Sequence, residues 1–336
     1  MGDKSARIGF VATRLSGLDG VSLEVRKWVR VLENLGYEVF FFAGESEWPA
    51  DRSYIVPEAH FLHPRIKQLN DDLFNDRIRT PATSAGVAQI KDYMKQHLYL
   101  FKRRFDINLI IATNALAIPM NVPLGLAVTE FVAETSVPLI AHHHDFSWER
   151  SRYSVNAAED YLNAAFPPTL RTVEHVVINS FAQRQLALRK GASATIVPNV
   201  MDFDSPPPHD GRTEELREVL NIKADEFFLL QPTRIVPRKR IEHAIELCRR
   251  LDLPCVLVIS HKSGDEGADY ERYLHDMIGL FDVEVRFAAD MFGYERGKED
   301  DGRKRYSLDD AYLAADLVTY PSAVEGFGNA FLESIF

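Results

Sequence analysis

Two cysteines, Cys248 and Cys255, are all that the 336 residues contain. That is too few for a disulfide scaffold and fits a reduced cytosolic setting. No apolar run approaches the roughly 18 residues of a membrane-spanning helix. The start, MGDKSARIGFVATR, has a mostly apolar stretch only over 8–13, short of a secretory h-region. Ala6 stands where an N-myristoylation signal needs Ser or Thr. A soluble, cytoplasmic protein is expected, with no transmembrane segment. Positive charge is scarce too: 39 Lys and Arg against 49 Asp and Glu leave a formal charge of −10. This argues against nucleic acid or an anionic membrane as a general partner, although a local basic patch can still serve an anionic ligand. GxGxxG is missing, which counts against a dinucleotide dehydrogenase, and without GxSxG a Ser-His-Asp hydrolase is disfavoured.

What is present is alternation. IGFVAT (8–13) reads as a buried parallel strand. A glycine-containing turn, RLSGLDG, follows it, then Val21, Val25, Trp28, Val29 and Leu32 at helical spacing, and then the strand EVFFFA (38–43) after Gly36. Further strands are expected at 108–113, 138–143, 175–179 and 194–198, with helical patterns between several of them. The result is a doubly wound α/β sheet. The segment MDFDSPPPHDGRT, with three consecutive prolines, reads as a linker. Beyond it strands at 227–231, 255–260, 283–287 and 317–320 alternate with helices over 241–250, 269–280 and 307–314. Two α/β domains are expected, 1–200 and 201–336. GKEDDGRKR (297–305) reads as a solvated loop.

Four segments carry candidate chemistry. Gly17 and Gly20 precede the first helix, where backbone N–H groups can meet a phosphate or sugar; a plain tight turn fits equally well. AHHHDF (141–146) lies at the carboxyl end of a strand, where open α/β sheets bind ligands. Strand alternation puts His142 and His144 on one face and His143 on the other. A metal site is disfavoured there, because no ligand cluster of matching spacing occurs elsewhere, whereas a hydrogen-bonded structural cluster stays open. QPTRIVPRKR (231–240) places Arg234 and Lys239 on a loop before a helix, a pairing suited to a diphosphate; a merely solvated basic loop is the alternative. TYPSAVEGFGNAFLES (319–334) runs from a strand through Glu325, Gly326, Phe327 and Gly328 into a helix carrying Glu333 two turns in. There an acid can accept from hydroxyls or support developing positive charge, or simply cap the helix.

Together these segments resemble a retaining glycosyltransferase of family 4, with the GT-B architecture of two facing Rossmann-like domains, over nearly the whole chain. EGFGNAFLE (325–333) matches the family's two glutamates separated by seven residues. DLVTYPS (316–322), IVPNVMD (196–202), RIVPRK (234–239) and DGVSLEVRKWVRVLENLGYEV (19–39) are also family-like, and Asp19 stands where the family usually has a glycine. The resemblance implies that Arg234 and Lys239 hold the diphosphate of a nucleotide sugar and stabilise it as leaving group. It implies further that Glu325 contacts the donor sugar, that Gly326 and the backbone of Phe327, Gly328 and Asn329 approach the donor, and that Glu333 binds the ribose. His144 would sit against the sugar near the reacting carbon, and Gly20 beside the phosphates.

The implied activity is transfer of a hexose, with retention, to a small soluble sugar or sugar-acid acceptor. No metal or other cofactor is expected, so Mg is not required. Arg14, Arg150 and Arg152 suit an anionic acceptor. A nucleotide-sugar-binding subunit without turnover, or a GT-B-like epimerase, remains the alternative. The last residues, Ser334-Ile335-Phe336, read as mid-helix. The second domain is therefore expected to be incomplete at its C-terminal end and covered by a partner chain or oligomer.

Overall fold

The computed structural model describes residues 6–17, 19–263, 268–299 and 301–336. Residues 1–5 of the start, Leu18 of the glycine turn and Asp300 of the 297–305 segment lie outside the described residues. The chain divides into two compact units, Met1–Asn199 and Val200–Phe336.

The first unit carries strands β1 (Arg7–Val11), β2 (Glu38–Ala43), β3 (Ser53–Ile55), β4 (Leu109–Thr113), β5 (Leu139–His143), β6 (Val173–Val177) and β7 (Thr195–Ile196). Its helices are α1 (Gly20–Asn34), α2 (Pro64–Phe74), α3 (Pro81–Phe105), α4 (Val122–Thr135), α5 (Glu159–Ala165) and α6 (Ser180–Lys190). The strands form one sheet in the order β3-β2-β1-β4-β5-β6-β7, parallel throughout. Runs such as FFF in β2 and LII in β4 bury both faces, as a sheet covered on two sides requires. Phe10, Phe41 and Val29 form the core on one face; Phe42, Phe101, Ile110 and Phe131 belong to the other. Strand order reverses between β1 and β4, so the loops leaving these strands open a crevice at their carboxyl ends.

Two elements of this unit have no counterpart in the expected alternation. The edge strand β3 is only three residues long and barely patterned. Helix α3 runs for 25 residues, started by the Thr80 hydroxyl accepting from the Thr83 N–H at 3.1 Å with Pro81 at its first position. Asp106, at φ +53°, stops it.

The second unit contains β8 (Phe227–Gln231), β9 (Cys255–Ile259), β10 (Val285–Phe287), β11 (Phe292–Gly293), β12 (Gly297–Lys298), β13 (Lys304–Ser307) and β14 (Leu317–Val318). Its helices are α7 (Gly211–Val219), α8 (Ile241–Arg250), α9 (Ala268–Phe281), α10 (Leu308–Ala314) and α11 (Asn329–Ser334). β10-β9-β8-β14 make a parallel sheet, again with a reversal of order, here between β8 and β14. Segment 297–305 is not a plain solvated loop. β12 and β13 pair antiparallel, and the turn closes because Gly302 adopts φ +83° while the Glu299 N–H donates to the Arg303 carbonyl at 2.8 Å. Charged hairpin strands have no hydrophobic alternation to announce them. In α11 the assigned helix runs over Asn329–Ser334, and the Ile335 N–H turns back to the Leu332 and Glu333 carbonyls.

Inside the first sheet, His143 on β5 and His175 on β6 are both buried and share a hydrogen bond, Nε2 to Nδ1, of 3.0 Å. Burial pulls both below the ordinary histidine range, His175 to about 4. The unfolded chain therefore binds protons near pH 6.5 that the folded chain refuses. Stability is complete above that pH and is lost as the pH falls toward 4, on the order of 3 kcal/mol for His175, with His143 acting in the same direction. Melting temperatures should hold level from pH 8 to 6.5 and then drop, with a shallower drop in a His143→Leu/His175→Leu variant. An identical profile in parent and variant would count against this origin.

Candidate active site

Each sheet's reversal of strand order places its loops, and the polar residues fall on those loops. In the second unit the loops after β8 and β14 are tied together from beneath. Gln231, fully buried, donates through Nε2 to Thr233 Oγ1 at 2.7 Å and accepts from Thr319 Oγ1 at 2.7 Å. Further out, the Ala323 N–H donates to the Arg238 carbonyl at 2.9 Å. These ties bring Lys239 and Glu325 into a direct ion pair, with Arg238 Nη1 3.6 Å from the second carboxylate oxygen. Burial pushes the Lys239 ammonium below its ordinary value; Glu325 opposes that, and Arg238 and Arg234 reinforce it. Burial would raise the Glu325 carboxyl, but Lys239, with help from Ser322 and Arg238, holds it below the usual range.

Arg234 is half-buried and makes no hydrogen bond or ion pair among the described residues. Lys239 and Arg238 thus share one carboxylate, and Arg234 on the same loop has no acid of its own among the described residues. The loop is left net positive where a diphosphate would need it to be.

Beyond Glu325 the backbone turns through Gly326, Phe327 and Gly328 into α11. Gly328 sits at φ +100°, and a Cβ there would lie 3.0 Å from the Tyr320 hydroxyl, so conformation and space both demand glycine. Because the left-handed Gly328 delays the helix to Asn329, Glu333 is the fifth residue of a six-residue helix. It lies little more than one turn in, not two. Its Oε2 accepts from the Tyr312 hydroxyl at 2.7 Å, a partner contributed by α10 that nothing in the local sequence announced.

In the first unit, the pleat of β5 divides the three histidines as expected. His142 and His144 lie on one face, ring centroids 4.5 Å apart, while His143 points to His175 and Phe146. The Trp28 ring from α1 covers His142 at 4.6 Å. His144 Nε2 is buried without a hydrogen-bond partner. Burial holds its imidazole at about 4, against the attraction of Asp145 and Asp19 and with a small push from Lys27.

The expected arginines are placed as follows. Arg14 pairs with Asp19 at 2.9 Å and lies over the Phe61 ring. Arg150 pairs with Asp145, its Nε at 2.7 Å from Oδ2. Arg152 is exposed, with its guanidinium over Tyr153. Gly20 is the first residue of α1, but the Asp19 carboxylate already accepts from the Val21 and Ser22 N–H groups at 3.1 and 3.2 Å. The helix start is therefore capped from within. Among the described residues no group of three or more His, Cys, Asp or Glu side chains is arranged to hold a metal ion, and no helix is long and apolar enough to cross a membrane.

Cation-lined and histidine-bearing strand ends on two Rossmann-like units are the plan of a GT-B glycosyltransferase, and comparison with known proteins agrees. No family model matches the sequence. Over 98% of its length the chain is 32% identical to mannosylglucosylglycerate synthase from Petrotoga mobilis, covering 80% of that protein. It is equally 32% identical, again over 98%, to mannosylglucosylglycerate synthase from Thermotoga maritima, covering 78% of it. Among solved structures, Anabaena HepE in complex with UDP-glucose superposes with a TM-score of 0.61 at 16% identity, over 98% of this chain and 78% of that one. The chain belongs to the mannosylglucosylglycerate synthase family of glycosyltransferases.

The loop geometry makes two outcomes measurable. Lys239→Ala and Arg234→Ala should each lower kcat/KM for transfer on the order of a hundredfold, the scale of losing one preorganised electrostatic contact, while circular dichroism stays native. Glu325→Gln, which frees Lys239, should bind inorganic pyrophosphate more tightly than the parent in calorimetry. Unchanged transfer in both alanine variants would sink the assignment of the loop.

Proposed function

We propose that the protein transfers a mannosyl residue from a nucleoside-diphosphate sugar to glucosylglycerate, with retention of anomeric configuration and without a metal ion. The observation that carries this reading is the net-positive loop 234–239, on which Arg238 and Lys239 meet Glu325 and Arg234 stands without an acid partner among the described residues. Breaking a glycosyl–phosphate bond leaves negative charge on the diphosphate and positive charge on the sugar ring. Arg234 and Lys239 answer the first charge, so a divalent cation is dispensable, and Glu325 answers the second while accepting from sugar hydroxyls. Glu333, oriented by Tyr312, accepts from the ribose, and the turn 326–329 supplies backbone contacts to the donor.

His144 is the first unit's catalytic side chain at the reacting sugar. Low-lying protonation keeps it neutral at physiological pH, able to exchange hydrogen bonds without adding charge. Arg14 takes the acceptor carboxylate, relaxing its hold on Asp19, and Arg150 adds its positive charge without releasing Asp145. As the glycosyl–phosphate bond breaks, a departing phosphate oxygen takes the acceptor hydroxyl proton and that hydroxyl oxygen bonds to the anomeric carbon on the same face. The names of the two relatives support the choice of sugar and acceptor. The free Cys248 and Cys255 fit a cytoplasmic location.

Incubation with GDP-, UDP- and ADP-linked mannose or glucose, with glucosylglycerate or neutral disaccharides as acceptors, tests this directly. A mannosylated glucosylglycerate of retained configuration should form, at the same rate with EDTA as without. Preferred use of neutral acceptors, or activity abolished by EDTA and restored by Mg, would refute the reading.

A further inference from the structure

We infer that Asn114 is a positioning residue for the transfer reaction, holding His144 and Asp145 at the end of β5 from the neighbouring strand β4. The inference rests on the reading of His144 as the catalytic side chain of the first unit. β4 and β5 are paired with Thr113 opposite His142, so the next residue on β4 arrives beside the point where β5 ends. Asn114 uses three polar groups there. Its N–H donates to the His142 carbonyl at 2.8 Å, its Oδ1 accepts from the His144 N–H at 3.2 Å, and its Nδ2 donates to Asp145 Oδ1 at 3.2 Å. The other oxygen of Asp145 is taken by Arg150. Both oxygens of the acid next to His144 are thereby held, one from β4 and one from the loop.

The backbone adds a second line of argument. Asn114 adopts φ +57°, a left-handed conformation that is unfavourable for an ordinary residue and that Asn tolerates better than most. A connection of this kind needs only a turn, and glycine would make one without strain. What Asn adds is the amide, which reaches the next strand's end with a donor and an acceptor at once. Asn114 also sits at the β1/β4 reversal of strand order, where ligands of doubly wound sheets bind, yet its polar groups face the β5 terminus. Its role is therefore to place His144.

The test is a double-mutant cycle on kcat, measured at saturating donor and acceptor with confirmed native circular dichroism. Asn114→Gly keeps the left-handed turn accessible and removes the amide, so loss of fold is not expected; Asn114→Asp keeps the acceptor to the His144 N–H and loses the donor to Asp145. In the parent background Asn114→Gly should lower kcat at least tenfold with the donor KM within about twofold, and Asn114→Asp should retain more activity than Asn114→Gly. In a His144→Ala background the same Asn114→Gly change should cost less than twofold, because residues acting as one unit are non-additive. An impaired His144→Ala enzyme combined with a silent or fully additive Asn114→Gly overturns the positioning role alone. A His144→Ala enzyme with undiminished kcat overturns instead the reading of His144 on which this rests.

Discussion

Parallel pairing decides where this protein can do chemistry. A parallel strand cannot be followed directly by its neighbour; the chain must return along a helix, and every return deposits a loop at the same carboxyl edge. With β1 flanked by β2 and β4, and β8 flanked by β9 and β14, successive loops part in opposite directions at one place in each sheet. The interior of the strands has no freedom to vary, being buried on both faces. The polar residues of the chain accordingly collect just past the strand ends: Arg14 after β1, Asn114 after β4, His144 after β5, Arg234 to Lys239 after β8, and Glu325 after β14. Within each unit these residues stand on the termini of one packed sheet, so their spacing there inherits that sheet's precision, which loops on an open surface would lack.

The same strand ends must carry charge out of bulk water, and three of the cations there are compensated by a neighbouring acid. Arg14 is answered by Asp19, Arg150 by Asp145, and Lys239 by Glu325. At Glu325 burial alone would favour the neutral carboxyl, and Lys239 is what holds it below the usual range. Arg234 apart, an anionic ligand of the proposed kind would not meet bare cations here. It would displace a resident carboxylate, so the net gain would come from geometry and from the excess of cations over acids on the loop. Such an arrangement would favour a dianionic diphosphate over a simple monoanion.

Much of this was legible in the sequence wherever burial dictates pattern. FFLLQ, EVFFFA and the helix at 241–250 appear where the periodicity places them, since a strand covered on both faces must be apolar and a surface helix must be amphipathic. The division of the three histidines followed from the two-residue strand period. The charged hairpin at 297–305 was not legible, since its pairing depends on backbone hydrogen bonds that polar side chains do not reveal. Neither was the depth of Glu333, which hangs on the left-handed Gly328 shortening the path into α11. Asn114 and Tyr312 escaped for a different reason. Their importance lies in partners 30 and 21 residues away, a distance no local pattern encodes, although an asparagine directly behind a buried strand is a usable signal for a left-handed turn.

The three consecutive histidines show how one short segment serves both stability and function. The pleat sends His143 inward to His175, where burial forbids protonation and the pair behaves as core that happens to hydrogen-bond. It leaves His144 on the opposite face, beside Asp145 and Asp19, with its own Nε2 unpartnered. Two acids would ordinarily raise a histidine into the physiological range, yet burial outweighs them and His144 stays neutral. A neutral imidazole cannot stabilise a leaving diphosphate, which is why the proposed reaction assigns the cationic work to Arg234 and Lys239. In the proposed reaction the imidazole would accept or donate one well-aimed hydrogen bond without adding to the positive charge building on the sugar. Aim is then the property that matters. Aim at the end of β5 is set by the backbone of β4 through Asn114 and by the acid that Asn114 and Arg150 hold between them.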